Sequence, residues 1–135
     1  MPNTLMPEIA ILCLAAVAIL LVKHTVADFF LQTPYQFRNK GTYGHPGGLL
    51  HAGIHVALTP LVYLVLAPAT LLLALEIALG EFVIHYHVDW AKEQAGRRLG
   101  ATPQTACFWH ALGVDQLLHG LTYVGIVAVL IWAMS

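Results

Sequence analysis

The chain has 135 residues, of which 59% are hydrophobic and only 10% charged, and its formal net charge is -1. With a mean hydropathy of +0.73, it carries more apolar surface than a soluble domain of this length has interior to hide. Soluble cytosolic and nuclear classes are excluded, and without a basic stripe or aromatic-basic interleaving so is nucleic-acid binding.

Four apolar segments follow one another, each long enough to cross a hydrocarbon core of about 30 Å. The first covers about residues 7–32, with Pro7 at the start, where helices accept proline, and Thr33-Pro34 at its end. It lacks a basic leading region and a small-residue cleavage site, so it reads as a retained transmembrane helix rather than a signal peptide. Tyr35–Gly48 holds four glycines, Pro46, Arg38 and Lys40 and reads as a polar loop. The second span covers about 49–66, and Pro60 should kink it. A very short turn leads to the third, about 70–94, and a loop containing Gly96-Arg97-Arg98 and Pro103 leads to the fourth, about 104–133. The predicted fold is all-α: a single domain forming an integral-membrane four-helix bundle with up-down topology.

Arg38 and Lys40 lie in the first long loop, and Lys92, Arg97 and Arg98 flank the second. The positive-inside rule then puts both long loops in the cytoplasm and both termini in the periplasm of a bacterial inner membrane. Trp90, Trp109, Tyr35 and Tyr43 suit an aromatic belt at that interface. Cys13 and Cys107 fit neither a disulfide framework nor a metal knuckle.

Each span carries two metal-competent side chains four residues apart: His24/Asp28, His51/His55, His85/Asp89 and Asp115/His119. Residues i and i+4 share a helix face, so each pair can present two ligands to one point. In an up-down bundle all four pairs fall toward the cytoplasmic end, Asp115/His119 about a turn deeper. Ionisable groups inside an apolar span are expensive and mark function. Five imidazoles and three carboxylates suit zinc foremost, with iron, manganese or cobalt as alternatives. Eight groups exceed the needs of one four-coordinate ion and can serve two ions, or one ion with an outer layer of orienting aspartates. Glu81, four residues before His85, shares that face as a further ligand or proton acceptor. His87, His45 and His110 read as interfacial or loop residues, and Lys23 as a side chain snorkelling to the interface. Arg38, Asn39 and Lys40 also suit contact with a substrate phosphate.

The ordered series His24-x-x-x-Asp28-Phe-Phe-Leu-Gln32, Lys40, His51-x-x-x-His55, His85-x-x-x-Asp89 with Lys92, and Asp115-Gln116-x-x-His119 resembles a family of small bacterial inner-membrane proteins of unknown function. The resemblance covers nearly the whole chain. It implies that Gln32, Lys40, Lys92 and Gln116 join the four pairs in one polar signature, which makes them candidates for substrate binding. More distantly the pattern is similar to the membrane-bound metal-dependent hydrolases, whose Pro-Asp motif has no counterpart here.

These readings give a metal-dependent hydrolase acting on a lipid or amphipathic ester or phosphoester at the cytoplasmic leaflet, with membrane lipid as its partner. One or two divalent ions would activate water, and Asp28, Asp89 or Glu81 would take the proton. No serine or cysteine sits beside the pairs to act as a covalent nucleophile. Three alternatives stand: a non-haem di-iron oxidase or desaturase, a metal transport or sensing protein, and a bundle fastened by His–Asp hydrogen bonds alone.

Overall fold

The computed structural model describes residues 5–134. Helix α1 (Leu5–Val26) passes into a single π-helical turn (Ala27–Leu31), and a short helix α2 (Pro34–Asn39) follows. Helix α3 (Pro46–Leu58) passes into a 3-10 segment (Thr59–Leu64), and two long helices, α4 (Leu71–Leu99) and α5 (Ala106–Trp132), complete the chain. Four of these stretches are long and apolar enough to cross a membrane: Met6–Leu31, Pro46–Leu64, Leu71–Leu99 and Ala106–Trp132. The fold is an all-helical bundle, consistent with a multi-pass membrane protein.

Local chemistry explains where the helices begin and end. Thr33 and Gln36 form a reciprocal capping box that starts α2, with Pro34 at the first helical position. His45 caps α3, its Nδ1 accepting from the Gly47 N–H at 3.0 Å, which gives this loop histidine a structural job. Thr70 accepts from the Leu73 N–H to open α4, and Gly100, at a φ of 58°, closes it in the left-handed conformation. The stretch read as a featureless polar loop thus contains α2 and the first turn of α3. Pro60 changes the helix type at Thr59, because a proline cannot supply the N–H that would bond the carbonyl four residues back.

The bundle has two unlike halves. Away from the long loops, Leu20, Val62, Leu66, Ile126, Val127 and Leu130 form an apolar core, with Tyr123 a member of the same cluster. Around the outside, Leu14, Phe29, Phe30, Leu72, Leu79 and Leu121 are exposed, the surface expected to face hydrocarbon. At the loop end, buried side chains are polar instead: His24, Lys40, His51, His55, His85, Asp89, Asp115 and His119.

The first long loop is pinned onto α4. The Gly44 N–H donates to the Tyr86 hydroxyl at 2.6 Å, and the Gln94 amide donates to the Gly41 carbonyl. At Gly48 a Cβ would lie 3.2 Å from the Lys40 Cα and 3.3 Å from the Tyr86 ring. A side chain there would push the α2–α3 connection off its seat, and with it Lys40.

Candidate metal centre

The four i,i+4 pairs meet at one place. Asp89 on α4 lies at its middle: its Oδ2 is 3.1 Å from His51 Nε2 and 3.5 Å from His85 Nε2, while its Oδ1 is 3.4 Å from His119 Nε2. Asp28 on the π turn sits alongside, Oδ1 being 3.2 Å from His51 Nε2 and 3.1 Å from His55 Nε2. Asp115 Oδ1 is 3.6 Å from His119 Nε2. The imidazole rings are close-packed, His55 and His85 with centroids 3.8 Å apart and His85 and His119 with centroids 4.2 Å apart.

Apart from the hydrogen bond between His55 Nε2 and Asp28 Oδ1 at 3.1 Å, proximity here is not hydrogen bonding. Nε2 of His51, His85 and His119, together with Oδ1 of Asp89 and Asp115, are buried and make no hydrogen bond. Buried polar atoms without partners are costly and rare. These three nitrogens lie 3.1–3.6 Å from carboxylate oxygens of Asp89 and Asp115, the spacing of ligand atoms around a cation. A tetrahedral ion with bonds of about 2.1 Å holds neighbouring ligand atoms about 3.4 Å apart. Among the described residues, three sets of donor atoms could hold an ion: Asp28 with His51, His55 and His85; His24 with His85 and His119; and Asp89 with Asp115 and His119.

His24 differs from the other four imidazoles. Its Nε2 lies 3.2 Å from Asp28 Oδ2 and 3.2 Å from the Gln116 carbonyl oxygen, both acceptors, so this nitrogen carries the proton. Its Nδ1 then accepts from the Tyr123 hydroxyl at 2.9 Å. With both nitrogens bonded, His24 is held as an orienting group for Asp28. Gln116 locks the same corner, its amide donating to Asp28 Oδ2 at 3.2 Å and to Asp115 Oδ2 at 3.1 Å.

Glu81 lies one helical turn away from the converging atoms and belongs to none of the three donor sets. Its carboxylate accepts from Lys23 and from the Thr59 hydroxyl. Lys23 does not snorkel: it is 3% exposed, paired with Glu81, and packed over the Tyr123 ring with its Nζ 4.7 Å from the centroid. Spacing carries a signal for this outer layer. Thr59 is four residues beyond His55, Glu81 four before His85, and Tyr123 four beyond His119, so each continues the face of its pair.

Lys40 is buried and reaches Asp89 Oδ2 at 3.5 Å, rather than anchoring the interface. The Gln32 amide donates to the Asp28 carbonyl at 2.7 Å, closing the π turn around that ligand candidate; such turns recur at functional sites. Lys92 pairs with Glu93 at 3.1 Å. His87 bonds the Tyr43 hydroxyl on the exposed side of α4, apart from the cluster.

A cavity of about 560 Å³ opens beside the cluster. Asp28, Gln32, Lys40, Asp115 and Gln116 line it, together with Lys92, Glu93 and Arg97 of α4 and the apolar Phe29, Phe37 and Phe108.

Fold and cluster together define a class: a four-span helical membrane bundle with buried His/Asp groups able to hold a metal ion. Over residues 16–135 the chain matches the family described as "Protein of unknown function (DUF3307)", and it belongs to that family. No curated protein and no solved structure matches it.

Proposed function

We propose that this protein is a metal-dependent hydrolase acting on an anionic, amphipathic phosphoester at the cytoplasmic leaflet. The observation that carries the reading is the cavity beside the cluster. It joins the candidate ligands Asp28 and Asp115 to Lys40, Lys92 and Arg97, with Glu93 on the same lining, between phenylalanine walls. A phosphate suits the place between the candidate ligands and these cations, and a hydrocarbon chain the aromatic walls; a neutral, fully polar substrate would use neither.

Asp28, His51, His55, His85, Asp89, Asp115 and His119 would hold the metal. When bound there, a divalent ion such as zinc or manganese polarises a phosphoryl oxygen and activates water. The remaining work falls to the chain. Lys40 and Lys92 neutralise phosphate oxygens, while Gln116 fixes the orientation of Asp28 and Asp115. Asp28, on the cavity wall with its Oδ2 turned toward Gln116 and His24, takes the proton from water. Glu81, paired with Lys23, supports the scaffold instead.

Transport is the weaker reading, because the candidate ligands gather at one end of the bundle and the other half is apolar. The five imidazoles keep iron and oxygen chemistry as the competing reading.

The test is elemental analysis of the untagged protein purified in mild detergent without chelator, followed by assay on anionic phosphoester amphiphiles in mixed micelles. Metal-dependent release of phosphate or alcohol, lost on chelation and restored by zinc or manganese, is the expected result. Stoichiometric iron with no hydrolysis would replace this reading with oxygen chemistry.

A further inference from the structure

We infer that the centre is dinuclear, with two divalent cations sharing Asp89 as a bridge. The inference rests on the metalloprotein reading and deepens it.

The donors are too many for one ion. Asp28, His51, His55 and His85 form one set, and Asp89, Asp115 and His119 another, with no residue in common. Those seven side chains exceed the six positions of an octahedral ion, before His24 is counted. The two sets meet through His24, His85 and His119, whose donor atoms form the third set, and through one carboxylate that faces both. Asp89 turns Oδ2 toward His51 and His85 of the first set, and Oδ1 toward His119 of the second. A carboxylate bound to one ion and hydrogen-bonded on its free oxygen would need a donor there. Asp89 Oδ1 is buried and has none. The second set shows the same signature independently, since His119 Nε2 and Asp115 Oδ1 are also buried and unpartnered. Paired hydrolytic ions lie about 3.5–4 Å apart, a span that one bridging carboxylate covers.

Charge points the same way. Three aspartates and Lys40 sum to about two negative charges, so two dications leave the centre about two positive charges in excess inside an apolar surround. A phosphate dianion delivered through the adjoining cavity would balance it. Phosphate and the second ion should therefore tighten each other's binding.

The experiment uses the full, untagged chain in mild detergent, stripped and titrated with manganese(II), read by bound metal per chain and by electron paramagnetic resonance. Two equivalents giving an exchange-coupled spectrum are expected. His55→Ala and His119→Ala should each halve the occupancy and give the spectrum of an isolated ion. Inorganic phosphate should lower the dissociation constant of the second equivalent several-fold. One equivalent in the wild type would overturn the dinuclear inference while leaving the metalloprotein reading intact. Two uncoupled equivalents would overturn the Asp89 bridge. No bound metal would overturn both readings. The wild-type titration decides these outcomes even where a variant does not fold.

Discussion

Lys23 Nζ donates to the main-chain carbonyl oxygen of His55 at 2.9 Å. In a continuous α-helix the N–H of Thr59 would take that carbonyl. Here it turns to Val56 instead, as the helix tightens into its 3-10 segment ahead of Pro60. A buried ammonium from the first span therefore completes the last α-helical turn of the second, at the residue that carries one of the clustered imidazoles. The Thr59 hydroxyl oxygen lies 3.2 Å from the same carbonyl, its proton shared with the Glu81 carboxylate.

Removing that ammonium should cost more than one hydrogen bond. Lys23→Met leaves Glu81 buried without its partner, a loss of about 3–5 kcal/mol for pairs of this kind. Replacing both, as in Lys23→Met with Glu81→Leu, should recover most of it, because neither charge is then stranded. Thermal unfolding in detergent separates the two variants; equal melting temperatures for wild type and Lys23→Met would refute the pairing.

Tyr123→Phe deletes the hydroxyl behind His24 and nothing else. Outer-layer partners of metal sites typically contribute roughly 10–100-fold in metal affinity. The variant should bind metal about tenfold more weakly while reaching full occupancy at saturation, read by competition against a chromogenic chelator. An unchanged affinity would place His24 outside the centre's working parts.

Lys92→Ala and Arg97→Ala change the cavity lining and not the cluster. Each should raise KM for an anionic amphiphile roughly tenfold, about 1.4 kcal/mol of lost binding, with kcat and metal content unchanged. Lys40→Ala removes a positive charge that reaches Asp89 and should raise metal affinity as well. If all three variants behaved alike, the distinction between cavity wall and centre would fail.

Metal should also be a folding ligand. At a thousandfold excess over its dissociation constant, bound ion stabilises by about 4 kcal/mol, so chelation should lower the melting temperature. Imidazole must be unprotonated to coordinate, so the stabilisation is present above histidine's ordinary range and lost as pH falls through it. The difference in melting temperature with and without chelator should be large near about pH 8 and vanish near about pH 5. A difference independent of pH would argue against histidine ligation.

The spans and the four pairs were legible because both follow from short-range rules. Apolar runs of sufficient length announce themselves, and His51/His55 must share a face if the segment is helical. The chain alone gave no sign of the π turn at Ala27–Leu31, since an extra residue in a helical turn leaves no composition behind. Nor did it reveal Lys23 against Glu81, 58 residues apart, because a lysine beside a histidine reads equally well as a snorkelling anchor. The distinction between His24 and the other imidazoles needed Tyr123 and Gln116 from another helix. Lys40 looked like an interface anchor in the sequence; only the close approach of Gly48 to its backbone explains how it reaches Asp89.

The origin of each donor along the chain also sets a timetable. Asp28, His51, His55 and His85 are all present once the segment ending at Leu99 has entered the bilayer. Asp115 and His119 arrive only with the last helix. If the centre holds metal as proposed, the first group would be complete while the chain is still being made, and the second would wait for the final insertion. Scarcity of metal at the moment of synthesis would then leave its mark chiefly on the later group.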